Sequence, residues 1–370
     1  MKRLLALLLC CAVLLNGCVS RQLEDELMVI VLGVDAEEND VILTVKVPSA
    51  ASSVQKDESG GYLTYSARGQ GFAEALSMLR AATPRKLNFT QVREIVLGRE
   101  AARGTLLPLL VLIDAVPRLR SSAALIVCTD TAKAMIAAQK PDLGVRLSRY
   151  ADSTLAESAG KGFTPDADLC GALRDLKGGQ ADPLLILGAI QAGETPSPNA
   201  PDVLDALPGD LPRQGSGAIE LFGAAATDGE RVTGYLTGRE MALIHLIQGN
   251  IRFFPYTAAS GALLRITAES PARLTVDLSD APARLAVALH CFVHCPPGDP
   301  PDPDALADAL RQEILGCLMH LRALRCDALG FGSIASRQFL TLDEWESMDW
   351  KGVYISAEFN VTVSVRCLAD

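Results

Sequence analysis

Aromatic side chains and catalytic signatures are both scarce in this chain. Phe, Trp and Tyr together make up 5 % of the 370 residues, so its cores must be built from aliphatic side chains and alanine rather than from stacked rings. Only four histidines are present, His245, His290, His294 and His320. No P-loop, G-x-S-x-G or H-E-x-x-H pattern occurs, which removes the local signatures of phosphate cradling, a serine elbow and zinc proteolysis. Basic residues are outnumbered, 34 Lys and Arg against 44 Asp and Glu, for a formal charge of −10. A basic nucleic-acid footprint is therefore missing. Past the first residues no apolar run reaches the length of a membrane helix; the run 106–113 has eight residues and contains Pro108.

What is present begins with a short greasy segment. Lys2 and Arg3 precede twelve mostly aliphatic positions, Leu4 to Leu15, and Asn16-Gly17-Cys18 follows. This is the layout of an export signal. Twelve helical residues rise only about 18 Å, short of a hydrocarbon core of roughly 30 Å, so the segment is no stable span. A small residue before a cysteine at the end of such a segment is the pattern of a bacterial lipoprotein signal. It predicts cleavage between Gly17 and Cys18, with a diacylglycerol on the Cys18 thiol and an N-acyl chain such as palmitate on the new terminus. Two or three acyl chains anchor firmly where one binds only marginally. The alternative is an ordinary secreted protein cleaved nearby. Removing residues 1–17 from 370 leaves 353 residues, enough for two or three domains, and takes the formal charge from −10 to −12. Anionic headgroups would repel so acidic a body, leaving the lipid to hold it to the bilayer.

Seven cysteines follow the anchor: Cys128, Cys170, Cys291, Cys295, Cys317, Cys326 and Cys367. An odd number cannot all pair within one chain. Most sit among aliphatic neighbours, as in Ile126-Val127-Cys128, where a free thiol behaves as a small hydrophobe.

The pattern along the chain predicts strands at Val29–Val34 and Val41–Val47 around a polar turn at Asp35–Asp40, and a third strand at Tyr62–Ala67. Phe72, Ala75, Leu76 and Leu79 mark one face of a helix closing before Pro84. Val92–Leu97 and Ala124–Cys128 read as strands, Leu106–Asp114 as a helix behind Thr105, and Thr129 or Asp130 as the cap of a helix through Gln139. Strands alternating with helices over residues 25–190 indicate a mixed α/β region. Residues 192–217 hold five prolines and read as a linker or a long loop. Beyond come strands at Gly217–Ala225 and Arg231–Leu236, then a helix behind Thr237. Further strands are expected at Ala262–Thr267, Arg273–Leu278 and Arg284–Val293, followed by one long helix over Asp304–Leu329. Residues 353–366 alternate apolar and polar without a break, the signature of a half-solvated strand, most simply in an antiparallel sheet. The fold class is α+β, in four segments: signal 1–17, N-terminal region 18–191, proline-rich linker or loop 192–217, and C-terminal domain 218–370.

Three constellations bear on chemistry. On a strand, His290 and His294 point away from Cys291 and Cys295. The two histidines would stand about 13 Å apart, too far to share one zinc, so no metal site is expected. Gly69-Gln70-Gly71 resembles a dinucleotide turn, but Glu74 occupies the third glycine position, an anion where a pyrophosphate would approach; a helix start accounts for it. Arg85 and Lys86 follow Pro84 at a helix end. They either complement the helix dipole or offer a contact surface to acidic groups of a partner.

Several segments, taken in order, resemble the Ger(x)C family. They are Gly17-Cys18, Gly33-Val34-Asp35, Gly71–Leu76 through Thr83–Leu87, Arg93–Gly98, Val232–Glu240 and Cys326–Gly332. The resemblance implies several α/β domains of mixed or antiparallel sheets with packed helices. It implies a non-enzymatic lipoprotein subunit of a nutrient germinant receptor, needed for spore germination, on the outer face of the spore inner membrane or the cell membrane. Implied partners are integral-membrane A-type and B-type receptor subunits and the bilayer, with no cofactor beyond the lipid on Cys18 and no nucleic acid. The competing reading is a solute-binding lipoprotein of a transporter.

Overall fold

The computed structural model describes residues 25–49, 61–140, 147–191, 203–213, 217–257, 261, 263–294 and 302–368. The signal segment, Gly17, Cys18 and Cys295 lie outside the described residues.

The chain enters through β1 (Glu26–Met28), then forms the β2 (Val31–Glu37) and β3 (Asp40–Pro48) hairpin and β4 (Tyr62–Gly69). Helix α1 (Phe72–Ala82) buries the predicted face of Phe72, Ala75, Leu76 and Leu79. After it come β5 (Lys86–Asn88), β6 (Glu94–Leu97), α2 (Arg99–Arg103), α3 (Leu106–Asp114), β7 (Ala124–Cys128) and α4 (Ala132–Ala138). Helices α5 (Leu147–Gly160) and α6 (Leu169–Gly178) lead to β8 (Leu184–Ile190), β9 (Ile219–Thr227) and β10 (Val232–Leu236). Eight of these strands form one sheet in the order β10-β9-β8-β7-β6-β2-β3-β4. Its centre, β2-β6-β7-β8, is parallel, and antiparallel hairpins flank it on both sides. Helices α1, α3 and α6 cover one face, where Leu32, Val34, Ile95 and Leu97 point. Helix α4 covers the other, against Val31, Val96 and Ile126. Burial on both faces is why these strands read as nearly continuous apolar runs.

Two local readings shift here. The polar residues Asp35 and Glu37 belong to β2, and the hairpin turns on two residues, with Glu38 at φ 52°. The cap of α4 is Thr131, whose Oγ1 accepts from Ala134 N at 3.2 Å, rather than Thr129 or Asp130. The proline-rich stretch joins β8 to β9, which are antiparallel neighbours, so it is a loop inside one sheet rather than a spacer between bodies. Its described part is tied down: Glu220 accepts from Arg213 Nε at 2.7 Å and from Gly209 N at 2.6 Å.

The second half contains α7 (Gly238–Gln248), β11 (Phe254–Thr257), β12 (Leu263–Ala268), β13 (Arg273–Asp277) and β14 (Arg284–His294). Then come α8 (Pro303–Ala323), α9 (Phe331–Ala335), α10 (Leu342–Ser347), α11 (Trp350–Ser356) and β15 (Glu358–Leu368). β14 is the spine of a five-stranded sheet: β13 and β12 pair with successive halves of one edge and β15 with the whole of the other. Leu285, Val287, Leu289, Cys291 and Val293 face inward against the α8 stripe of Leu306, Leu310, Ile314, Cys317 and Leu321. Each fully buried large aliphatic there contributes about 2 kcal/mol.

Three expectations are corrected in this half. β15 runs parallel to β14, not antiparallel, because the connection between them is a long crossover carrying α8 to α11. The final strand begins at Glu358; residues 350–356 are helix α11, capped by Asp349 and burying Trp350 and Tyr354 one turn apart. Helix α8 stops at Ala323 instead of Leu329. No breaker stops it. Leu324 N donates to His320 O at 2.9 Å, Arg325 N to Arg322 O at 3.0 Å and Cys326 N to Leu321 O at 2.9 Å, so the backbone folds back on the last helical carbonyls, while Thr233 Oγ1 and Tyr354 OH hold Leu324 O and Cys326 O beyond the end. Arg325 then adopts φ 58°. Among the described residues no helix is long and apolar enough to cross a membrane.

Candidate functional site

Arg85 and Lys86 stand on the surface where the chain first enters the fold. Lys86 opens β5 and pairs in register with Glu26 of β1. The two cations line a cleft of about 650 Å³ together with Arg80 and Arg118. Arg80 lies in the last turn of α1, where a cation complements the helix dipole. Arg118 arrives from the turn after α3 with φ 65°. All four are exposed, and among the described residues none forms an ion pair. The acidic residue on the rim is Glu26, whose Oε2 accepts from Asn88 Nδ2. Sequence reading found Arg85 and Lys86. It missed Arg80 and Arg118, one because it was spent on the helix end and the other because only the fold brings residue 118 to residue 85.

A second polar cluster joins the two sheets. Asp327 is buried, and its carboxylate accepts from Phe331 N at 2.9 Å, Gly332 N at 2.7 Å and Trp350 Nε1 at 3.1 Å. Desolvation pushes its pKa up to about 6 despite those donors. Asp182, just before β8, accepts from Asp327 N at 2.6 Å and pairs with Lys351 of α11. Burial raises the Asp182 pKa, opposed by the Lys351 ammonium. This explains the spacing Asp327-Ala328-Leu329-Gly330-Phe331-Gly332. Gly330 takes φ 73°, open mainly to glycine, and a Cβ on Gly332 would lie 2.6 Å from Gln180 O and 2.7 Å from Trp350 Nε1.

The other family-like segments also resolve into structural devices. Asp35 accepts from Ala132 N at 2.7 Å and Lys133 N at 2.9 Å, holding the start of α4, and burial raises its pKa. A Cβ on Gly33 would meet Ile136 Cδ1 at 2.5 Å, so α4 sits close over that glycine. Thr237 and Glu240 form a capping box at the start of α7. Glu240 Oε1 also meets His320 Nδ1 of α8 at 2.6 Å, and Arg239 Nε donates to Asp205 at 3.0 Å.

Inside the eight-stranded sheet, Lys46 Nζ donates to Ile136 O at 2.7 Å and to Gln139 O, while Gln139 Nε2 donates to Glu94 Oε2 at 2.8 Å. Desolvation lowers Lys46 to about 8 and raises Glu94 to about 7. The remaining sequence constellations separate in space. His290 is exposed beside Ser364, while Cys291 is in the core, its thiol pushed up to about 12 by burial. Glu74 Oε2 accepts from Gln70 N at 2.9 Å, closing the Gly69–Gly71 turn as a helix start. Free thiols at Cys128, Cys317 and Cys326 are buried, and Cys170 is exposed.

Comparison with known proteins adds two findings. Residues 20–189 match a family described as "Spore germination protein N-terminal domain". The fold is similar to that of a solved protein titled "Crystal Structure of the GerBC protein", with a TM-score of 0.51 at 12 % identity, over 91 % of this chain and 97 % of that one. At that identity the likeness is one of fold. Among curated proteins no sequence matches.

Proposed function

We propose that the protein is the lipoprotein subunit of a nutrient germinant receptor, a reading supported by the match of residues 20–189 to the spore germination family and by the Ger(x)C resemblance. Signal cleavage after Gly17 leaves Cys18 as the first residue, carrying diacylglycerol and an N-acyl chain. The folded body then works at the outer face of the spore inner membrane, through contacts with A-type and B-type membrane subunits rather than by turning over a substrate. The family match carries the reading, and the GerBC-like fold across both sheets supports it.

The family-like segments agree with that role. Three of them, among the described residues, cap a helix, admit a close approach or latch the two sheets, as Asp35, Gly33, Glu240, Asp327 and Gly332 do. A transporter's solute-binding lipoprotein calls for two matching lobes around a cleft. The two sheets here differ in size, strand direction and coverage. Cys18→Ala is the test: the variant is expected to leave the membrane fraction and to abolish the nutrient response of spores. A variant that still sediments with membranes and germinates normally sinks the reading.

A further inference from the structure

We infer that the cleft lined by Arg80, Arg85, Lys86 and Arg118 docks on the phosphates of anionic lipid headgroups, and so fixes how the body stands on its bilayer. The inference rests on the lipid anchor proposed above. Cys18 precedes Asp25, the first described residue, by seven positions, a reach of at most about 25 Å. Glu26 lines the cleft itself. The surface that must stay nearest an anchored Cys18 is therefore the one that carries these four cations.

Charge makes the choice of face selective. The whole chain has a formal charge of −10, so most orientations of the body are repelled by an anionic surface. At this cleft four exposed cations face Glu26, and that carboxylate is engaged by Asn88. Basic residues close to such a surface strengthen attachment by roughly fivefold each. Tethering converts this weak contact into an intramolecular one, where a modest affinity suffices to orient the body. An acidic protein partner would meet the same cations, but the short tether keeps headgroups beside this face wherever the anchor sits.

The test uses the chain from Val19 onward, which keeps every described element and carries no lipid. It is sedimented with phosphatidylcholine vesicles, with and without phosphatidylglycerol. Wild-type chain is expected to bind only the anionic vesicles, more weakly as salt rises. Arg85→Glu with Lys86→Glu should weaken that binding by about 25-fold or more. Both side chains are exposed, so circular dichroism should be unchanged. Arg265→Glu, exposed on β12 of the other sheet, should bind as wild type.

Equal binding to both vesicle types overturns the inference, as does equal loss in Arg265→Glu. So does displacement by inorganic phosphate at constant ionic strength, which would mean a free-anion site. A double variant that binds vesicles normally but no longer co-purifies with membrane subunits would make the cleft a protein contact and also overturns it. Because this chain is unlipidated, failure here leaves the Cys18 anchor standing, and an unmodified Cys18 in cells refutes the anchor without touching this result.

Discussion

The two sheets handle polar residues in opposite ways. In the eight-stranded sheet both faces are covered, and β2 buries five successive residues from Val31 to Asp35. Buried polar groups there turn to protein partners: Asp35 accepts from the first backbone N–H groups of α4, Lys46 reaches backbone carbonyls, and Gln139 donates to Glu94. In the five-stranded sheet, β14 and β15 alternate, with inward Val and Leu against α8 and outward Arg284, His290, Thr362 and Ser364 in solvent. Water satisfies those residues at no cost to the core. The carboxylates that burial raises, Asp35, Glu94, Asp182 and Asp327, therefore gather in the first sheet and at its seam with the second.

The seam is where the contrast breaks most easily. Asp327→Ala strands three buried donors, two backbone N–H groups and the Trp350 indole. At about 1–3 kcal/mol per orphaned group, the expected loss is about 3–5 kcal/mol in denaturant unfolding. A loss under about 1 kcal/mol would show that the latch is dispensable. Next comes the interior of the first sheet. Glu94 is raised to about 7 when folded, against 4.5 when unfolded. Its favourable contribution is present below about 4.5 and is lost as pH rises through about 7. Stability should thus climb by about 2–3 kcal/mol as pH falls across that window. Lys46, lowered to about 8, is charged throughout that range and adds no slope of its own. Glu94→Gln keeps an acceptor for Gln139 and should reduce the slope, leaving the share of Asp327, raised to about 6; melting temperatures at pH 7.5 and 5 that still differ by the wild-type amount count against it. The smallest effect belongs to the open face. Ser364→Ala removes a hydroxyl beside His290 but should change stability by less than about 0.5 kcal/mol, and a larger loss would mean that this face is covered.

Legibility in the sequence followed the same division. The doubly covered strands were readable from their apolar runs, and Ala124–Cys128 matches residue for residue. Helix faces such as Phe72, Ala75, Leu76 and Leu79 were equally plain. The misreadings fall where a second local signal or a distant connection overrides the alternation. Residues 353–357 continue the period-two alternation by chance, yet Asp349 Oδ1 accepts from Gly352 N and Trp350 packs near Tyr354, which makes a helix. An aspartate followed by aromatics four apart was the available signal. The direction of β15 was written in the length of the crossover, not in the strand. Of the candidate site, Arg85 and Lys86 were visible as a pair, whereas Arg80 and Arg118 joined them only through the packing of α1 and α3.

Residue order alone set the helix faces, the alternation of strands, the acidic balance and the Gly-Cys junction after the greasy segment, because each depends on neighbours within a few positions. Which strands run parallel and which carboxylates change their pKa were decided by tertiary structure. Those properties arise when residues far apart in the chain, such as Asp182 and Asp327, pack together and exclude water from one another.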